Sequence, residues 1–333
     1  MVIVFQTKPS LVAGAVVVGP LEERSVFRSY FDVVTDDERF QEETNEKGQR
    51  KLIIEASQIA MKKTELKNLD VDYFLSGDLV NQMTPTNFAA RELAIAFLGL
   101  FSACATSVSS VIVASLLTEL GASNYAIAGA SSHHNATERQ FRYPVDYGAQ
   151  KPATAQWTVT AAGYAVVGKY DAKSPYVVAA TVGKVIDYSD TDPFHMGGAM
   201  APAAYDTIQN HLKKRKQKVA DYDLVMTGDL GKFGLKLVKA MLAEDGVTAD
   251  ELQLLRDAGA EFYGDDEAFQ AGASGAGCSA AVFYSYVLEQ FKIGRFKRVL
   301  LVATGALLSP LSYQQGDTIP CTAHAIEIAM NGE

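Results

Sequence analysis

A repeated pattern constrains this chain more than any other feature of its sequence. Residues 70–80 read DVDYFLSGDLV and residues 221–231 read DYDLVMTGDLG, so an apolar run precedes Gly-Asp-Leu twice. Each copy is followed by small residues around a cysteine and then an apolar stretch, FSACATSVSSVIVASLL at Cys104 and GASGAGCSAAVFYSYVL at Cys278. Two more pairs follow in the same order: YAIAGASS with LLVATGALLS, then TAAGYAVVG with TAHAIEIAM. The shared order predicts a duplicated α/β unit.

Alternating strand-like and helix-like segments predict the fold class. They favour α/β halves with mostly parallel, helix-covered sheets. Two such sheets stacked through buried helices give a five-layered α/β/α/β/α sandwich. We expect an N-terminal half over 1–172 and a C-terminal half over 173–333. The second half contains an extra acidic segment near 244–269, which we expect to be exposed.

Composition excludes several classes of protein. The 333 residues are 48% hydrophobic, enough for a sizeable core. Neither a membrane-spanning apolar run nor a signal-peptide pattern is evident, so we expect a soluble, cytoplasmic protein. Three cysteines without a CxxC motif argue against a disulfide framework or a zinc site. A net charge of −9 argues against a general nucleic-acid surface. We expect no resident cofactor or metal.

Cys104 is the main candidate for chemistry. It lies among small residues at a predicted helix start, where the helix dipole lowers a thiol pKa and favours a nucleophile. The alternative is a small residue in tight helix packing, which we prefer for Cys278. Cys321 is followed by His324, and the two can face one pocket. A strand-end cysteine beside a core histidine is an equal alternative.

The segment SSHHNATERQFRYP at 131–144 is the second candidate. It carries His133, His134, Arg139 and Arg142, and arginine suits bidentate recognition of carboxylates. The alternative is a loop whose arginines pair with its own acidic residues.

Two charged runs have structural explanations that we favour. DYSDTD at 187–192 suits a turn or a helix cap better than a cation site. KKRKQK at 213–218 ends a predicted helix, where cations complement the dipole. A weak contact with an anionic membrane is the alternative for this basic run.

These features together resemble the thiolase superfamily, which includes thiolases and ketoacyl synthases. The resemblance covers nearly the whole chain and rests on the duplicated half, SACATS at Cys104 and a second cysteine, Cys321, before the last strand. The catalytic histidines of that superfamily have no counterpart in AGASGAGCS or in the turn at 228–232. Condensation needs a base and an oxyanion hole. The resemblance therefore implies a retained pocket without its usual catalytic partners, unless His133, His134 or His324 substitute.

Longer segments resemble a family of stage V sporulation proteins of endospore-forming bacteria. They are SGDLVNQ, SSHHNATERQFRYPVDYGAQKP, MGGAMAPAAYDTI, TGDLG, VLLVATGALLSPLSYQQ and IPCTAHA. This resemblance implies a non-enzymatic, homodimeric protein peripheral to the spore inner membrane. It would bind dipicolinic acid (pyridine-2,6-dicarboxylate), with or without Ca²⁺, and assist its uptake into the developing spore. The implied partners are membrane proteins of the stage V sporulation A complex.

The resemblance also implies site residues. Cys104 would form the pocket floor, and Asp192 would lie beside the ligand or its cation. On charge grounds we add His133, Arg139 and Arg142, and Cys321 with His324 completes the predicted set. An acyl-transferring enzyme that uses Cys104 and a scaffold for a membrane complex are the alternative functions.

Overall fold

The computed structural model describes residues 1–141 and 151–331, without the side chain of Phe141. Its strands are β1 (Val2–Val4), β2 (Ser10–Val18), β3 (Val33–Val34), β4 (Tyr73–Gly77), β5 (Phe97–Gly99), β6 (Tyr125–Ser132), β7 (Trp157–Thr158), β8 (Ala161–Gly168), β9 (Tyr176–Val182), β10 (Leu224–Thr227), β11 (Leu255–Asp257), β12 (Ala273–Ser274), β13 (Arg298–Ala306) and β14 (Cys321–Ala329). Its helices are α1 (Asn45–Lys63), α2 (Thr84–Leu93), α3 (Thr106–Glu119), α4 (His134–Phe141), α5 (Met196–Arg215), α6 (Gly231–Glu244), α7 (Ala249–Gln253), α8 (Ala258–Glu261), α9 (Ala276–Val282), α10 (Leu288–Lys292) and α11 (Pro310–Gln314). A π-helical segment, Phe283–Val287, joins α9 to α10.

The two halves repeat one strand order. The first-half strands follow the order β2-β8-β6-β4-β5, and those of the second half follow β9-β14-β13-β10-β11. In both, the last three strands are parallel and the other neighbours antiparallel. The duplication is therefore confirmed. The sheets are mixed rather than mostly parallel, because β8 and β14 turn back beside β6 and β13, an arrangement that needs no crossover helix.

Helices enclose and separate the two sets of strands. Helices α1 and α2 cover the first set, while α5 and α6 cover the second. Between them, α3 contacts strands of both sets and also contacts α9. Its apolar composition on every side suits this central position. This is the predicted five-layered sandwich.

The central helices meet near their amino ends. The hydroxyls of Ser107 and Ser279 are 2.7 Å apart. The Tyr284 hydroxyl donates to the Ser107 carbonyl. Small residues allow this approach, since Ser and Ala precede α3 and Gly, Ala and Ser precede α9. The turns that precede α3 and α9 therefore lie side by side.

Helix α5 begins at Met196 and contains Pro202 within it. The expectation that 244–269 is exposed is confirmed for most of 244–250 but is wrong further on, where Leu255, Asp257 and Phe262 are buried. Its acidic residues alternate with apolar ones, and β11 extends the sheet beside β10.

Within residues 1–141 and 151–331, no helix combines the length and apolarity needed to cross a membrane.

Candidate functional site

Cys104 lies in a strained turn immediately before α3. Ala103 has φ +48°, a left-handed conformation that costs energy for a residue with a side chain. The Thr106 hydroxyl donates to the Ala103 carbonyl at 2.7 Å and accepts from the Ser102 N–H at 3.0 Å. Thr106 therefore stabilises the turn that presents Cys104.

A narrow cavity opens beside Cys104, with about 30 Å³ of space open to water. This is room for a water molecule rather than an organic ligand. Its wall is mainly apolar and is formed by Leu79, Phe101, Ala103, Cys104, Thr137, Thr158, Met196, Met200, Ser274, Gly275, Ala306 and Leu308. The Thr137 hydroxyl is buried there without a hydrogen-bond partner in the described part of the chain.

The thiol of Cys104 is not activated. Burial raises its pKa well above the usual value, and the nearby Asp229 carboxyl raises it further. A hydrogen bond from the Gly275 backbone lowers the Cys104 pKa, but by less than burial and Asp229 raise it. The expected thiolate at a helix start is therefore wrong, because desolvation outweighs the helix dipole here.

Asp229 is the neighbour that the sequence analysis missed. It is completely buried, and its Oδ1 accepts hydrogen bonds from the Thr304 N–H, at 3.2 Å, and from the Thr304 hydroxyl. Its Oδ2 is buried without a well-formed hydrogen bond to any described residue. Burial raises the pKa of this carboxyl well above its usual range, and the charge of Asp257 adds to the effect. The sequence signal that points to Asp229 is the repeated Gly-Asp-Leu, which places an aspartate at the same position in both halves.

Gly305 brings this acid to the thiol. A side chain at Gly305 would collide with the Ser102 carbonyl and crowd Ala103. With glycine there, β13 packs directly against the Cys104 turn. Thr304, which holds Asp229, therefore lies beside the same turn.

The cationic loop residues lie apart from the cavity wall. His133 is buried, its Nε2 lies 2.8 Å from the Glu38 carbonyl, and burial lowers its pKa. Arg139 forms an ion pair with Glu46 of α1. Arg142 falls outside the described residues. The structure thus places neither His133 nor Arg139 among the residues that line the cavity.

The other predicted residues are also dispersed. Asp192 is exposed, and its Oδ1 accepts from the Phe194 N–H at 2.8 Å, as in the turn that we favoured. Cys321 and His324 are buried on β14 and lie on opposite faces, because they are three residues apart in a strand. The Nδ1 of His324 accepts from the Gly183 N–H at 3.2 Å. Among the predicted residues that the structure describes, only Cys104 lines the cavity.

No group of three or more His, Cys, Asp or Glu residues in 1–141 and 151–331 is arranged to hold a metal ion.

The duplicated sandwich, with a cysteine at the start of its central helix, defines a thiolase-like protein. It is similar to the 3-oxoacyl-[acyl-carrier-protein] synthase III from Aquifex aeolicus VF5, with a TM-score of 0.58 and 12% identity over 96% of this chain and 99% of that one. It is similar also to a variant of OleA from Xanthomonas campestris, with a TM-score of 0.62 and 13% identity over 98% and 99% of the two chains. At such identities the likeness establishes the fold alone.

Within this class, the chain belongs to the stage V sporulation protein AD family. The model of that family matches residues 1–329. The chain is also 44% identical to stage V sporulation protein AD of Bacillus subtilis (strain 168). The identity is measured over 308 aligned residues, which make up 92% of this chain and 90% of the relative. The closer resemblance seen in the sequence is thereby confirmed, and it supports a role in sporulation.

Proposed function

We propose that this protein binds dipicolinic acid, with or without Ca²⁺, in the cavity beside Cys104 and assists its uptake into the developing spore. The observation that carries the proposal is an apolar cavity whose wall contains a buried hydroxyl, that of Thr137, without a hydrogen-bond partner among the described residues. Asp229 Oδ2 lies outside the wall, behind the thiol. A buried polar atom without a partner costs roughly 1–3 kcal/mol, which a ligand oxygen or nitrogen recovers.

The lining suits a planar aromatic ring. Met196, Met200 and Leu308 offer apolar surface to the ring faces, while the polar atoms are few and localised. The present space is too small for a pyridine dicarboxylate, so the wall must move. Methionine side chains adapt readily, and Phe101 is 54% exposed at the cavity. We expect these side chains to rearrange when the ligand enters.

A wider groove of about 590 Å³ lies elsewhere, between the end of β9 and helix α5. It is open to solvent: Lys184 pairs there with Asp206 at 2.9 Å, and Lys213 and Asp245 also line it. We therefore place the ligand in the smaller cavity, where buried atoms lack partners.

The acyl-transferring alternative receives less support. A nucleophilic cysteine needs a base within hydrogen-bond reach or a lowered pKa. The Cys104 thiol has a raised pKa, and no described residue of the cavity wall is a histidine. Asp229 in its neutral form is not a base.

We propose two further associations. The edge strand β5 exposes Leu98, and Phe101 and Phe88 are exposed nearby, which suits pairing with a second copy of the chain. Lys213, Lys214, Lys216 and Lys218 are exposed at the end of α5. They suit a position against an anionic inner membrane that holds the membrane proteins of the stage V sporulation A complex.

Calorimetry with dipicolinate, with and without Ca²⁺, tests the binding proposal. We expect saturable binding that weakens in Thr137→Val, which removes the unpartnered hydroxyl at little change in volume. Thr118→Val is the matched control, because the buried Thr118 hydroxyl is bonded to the Ala114 carbonyl on the remote half of α3. The absence of heat and of any thermal shift at millimolar ligand would contradict the proposal.

A further inference from the structure

We propose that Asp229 is held as a neutral carboxylic acid and that its Oδ2–H group is the hydrogen-bond donor for a carboxylate entering beside Cys104. The inference rests on the proposed function, because it names the group that meets the anionic end of the ligand. It also assigns a binding role to a residue outside the set predicted from the sequence.

The hydrogen bonds of Asp229 fix the position of the proton. Oδ1 accepts from both the N–H and the hydroxyl of Thr304, so this oxygen acts as the carbonyl-type acceptor. Oδ2 remains, buried and without a well-formed hydrogen bond to a described residue, and the Cys104 side chain is the neighbouring group that interacts with the carboxyl. A proton on Oδ2 turns an unsatisfied acceptor into a donor that faces the thiol side. The mutual influence of Asp229 and Cys104 on each other's pKa indicates their proximity.

The surroundings of Asp229 contain acids and no compensating cation. No Lys, Arg or His forms an ion pair with it in the described ranges. The titratable groups that influence it from neighbouring elements are Asp257 at the end of β11, Cys104 before α3, Cys278 in α9 and Cys321 at the start of β14. An ionised carboxylate there would be buried, unpaired and surrounded by other acids, so the neutral form is favoured.

Of the two neighbouring carboxyls, Asp229 and Asp257, the hydrogen bonds of Asp257 favour the ionised form. Its carboxyl accepts from the N–H groups of Leu230 at 3.0 Å, Gly231 at 2.9 Å and Ala260 at 2.7 Å, and from the Thr227 hydroxyl at 2.7 Å. Burial raises the pKa of Asp257 to about 6. Because of these donors, the pKa of Asp257 stays much closer to the usual aspartate value than the pKa of Asp229 does. Two carboxyls in one apolar region with such different partners take different protonation states.

The neutral acid explains how an anion can enter a cavity without a described cation in its wall. Asp229 lies behind Cys104 and outside the cavity wall, so an incoming carboxylate meets its Oδ2–H, and the Gly275 N–H that now interacts with the thiol, once the Cys104 side chain turns aside. Both are donors without positive charge. Ionised Asp229 would instead repel the ligand, so binding requires the proton to stay.

Dipicolinate affinity of three proteins tests this inference: the wild type, Asp229→Asn and Asp229→Leu. The amide of Asp229→Asn keeps an N–H donor, so its affinity should stay within a few-fold of the wild type. The leucine side chain of Asp229→Leu has a similar volume but no hydrogen-bond donor. This variant should bind dipicolinate at least about tenfold more weakly, because it loses one hydrogen bond to a charged group. Asp78→Asn, a buried aspartate in the same tripeptide of the first half, is the matched control and should bind normally.

The outcomes separate this inference from the proposed function. If the wild type binds no dipicolinate, the proposed function fails. If it binds and Asp229→Leu binds equally well, or Asp229→Asn loses as much affinity as Asp229→Leu, then the role of Asp229 as a neutral donor is overturned. Infrared spectroscopy gives a readout without ligand. The carbonyl band of a protonated carboxyl should persist in the wild type at about pH 8, where ordinary carboxyls are ionised, and should be absent from Asp229→Asn.

Discussion

Asp257 accepts in the second half the helix-capping hydrogen bonds that Asp78 accepts in the first. Asp78 receives the N–H of Thr86, in the first turn of α2, at 3.0 Å. Asp257 receives the N–H of Gly231, the first residue of α6, at 2.9 Å. Asp229 is the sequence counterpart of Asp78 but is bonded to Thr304 instead. The extra segment of the second half therefore supplies a cap that releases the repeated aspartate for the cavity.

Cys104 should react slowly with thiol reagents at neutral pH, because burial raises its pKa. Alkylation followed by intact-mass measurement should accelerate between about pH 7 and pH 9, toward the ordinary thiol pKa and beyond. The rate should change little in Asp229→Asn, because the carboxyl that it replaces is neutral in the wild type. Cys278 and Cys321 are buried and serve as internal controls. Rapid alkylation at pH 7, or an acyl adduct after incubation with acyl-CoA, would instead favour the enzyme.

Glu327 should stabilise the protein at neutral pH and lose this effect in acid. It is buried and accepts from Arg298 at 2.7 Å, Arg215 at 2.8 Å and His211 at 3.3 Å. Burial raises its pKa, but the bonds to His211 and Arg215 outweigh burial and lower it to about 2. Since this folded-state pKa lies below the unfolded value of 4.5, the stabilisation exists above that value and is lost as pH falls toward 2.

Glu327→Gln should therefore lower the free energy of unfolding at neutral pH by about 2–3 kcal/mol, less than for a fully buried pair because Arg298 is partly exposed. Urea unfolding at pH 7 and near pH 3 measures this, and the difference between variant and wild type should shrink in acid. Glu43→Gln, which breaks an exposed pair with Lys47, is the matched control and should change little. Equal effects of the two substitutions would contradict the prediction.

Glu22 should have the opposite pH dependence. Burial raises its pKa to about 7, although the Thr160 N–H and the Tyr263 hydroxyl both donate to Oε1. Because the folded-state pKa exceeds the unfolded value of 4.5, its contribution is most favourable below that value and declines as pH rises to about 7. Glu22→Gln keeps the acceptor and removes the charge, so it should raise the free energy of unfolding at about pH 8 by roughly 1–3 kcal/mol. Denaturation at about pH 5 should show little gain, and a uniform gain at both pH values would refute this explanation.

The edge strand β5 should form the homodimer contact. Sedimentation velocity should show a dimer for the wild type and a monomer for Leu98→Lys, since a charge on this edge prevents pairing. Leu69→Lys is the control, because Leu69 is 99% exposed and lies outside β5. A wild type that remains monomeric at high concentration would exclude this dimer.

The sequence predicted the fold because the duplication repeats long apolar segments in one order. It missed β5 and β11, which have three residues each and are too short to show an alternating pattern. It identified Cys104 because small residues before an apolar helix are a local signal. It did not place Asp229 beside Cys104, because their proximity depends on the approach of β13 through Gly305, a contact between distant segments.

The predicted basic loop shows a second limit of local patterns. Its charges suggested a carboxylate site, yet Arg139 pairs with Glu46 on a helix that precedes it by about ninety residues, and His133 meets the Glu38 carbonyl. Such partners cannot be chosen from the loop alone, since many acidic residues precede it. The packing of α1 against the first set of strands determines which acidic residue pairs with Arg139.

The Ser107–Ser279 hydrogen bond, which joins the first turns of the two central helices, makes the cavity sensitive to both halves at once. A shift of the turn at Cys104 must displace either this bond or the start of α9, which carries Gly275 just before it. Entry of the proposed ligand would therefore be coupled to the relative placement of the two halves.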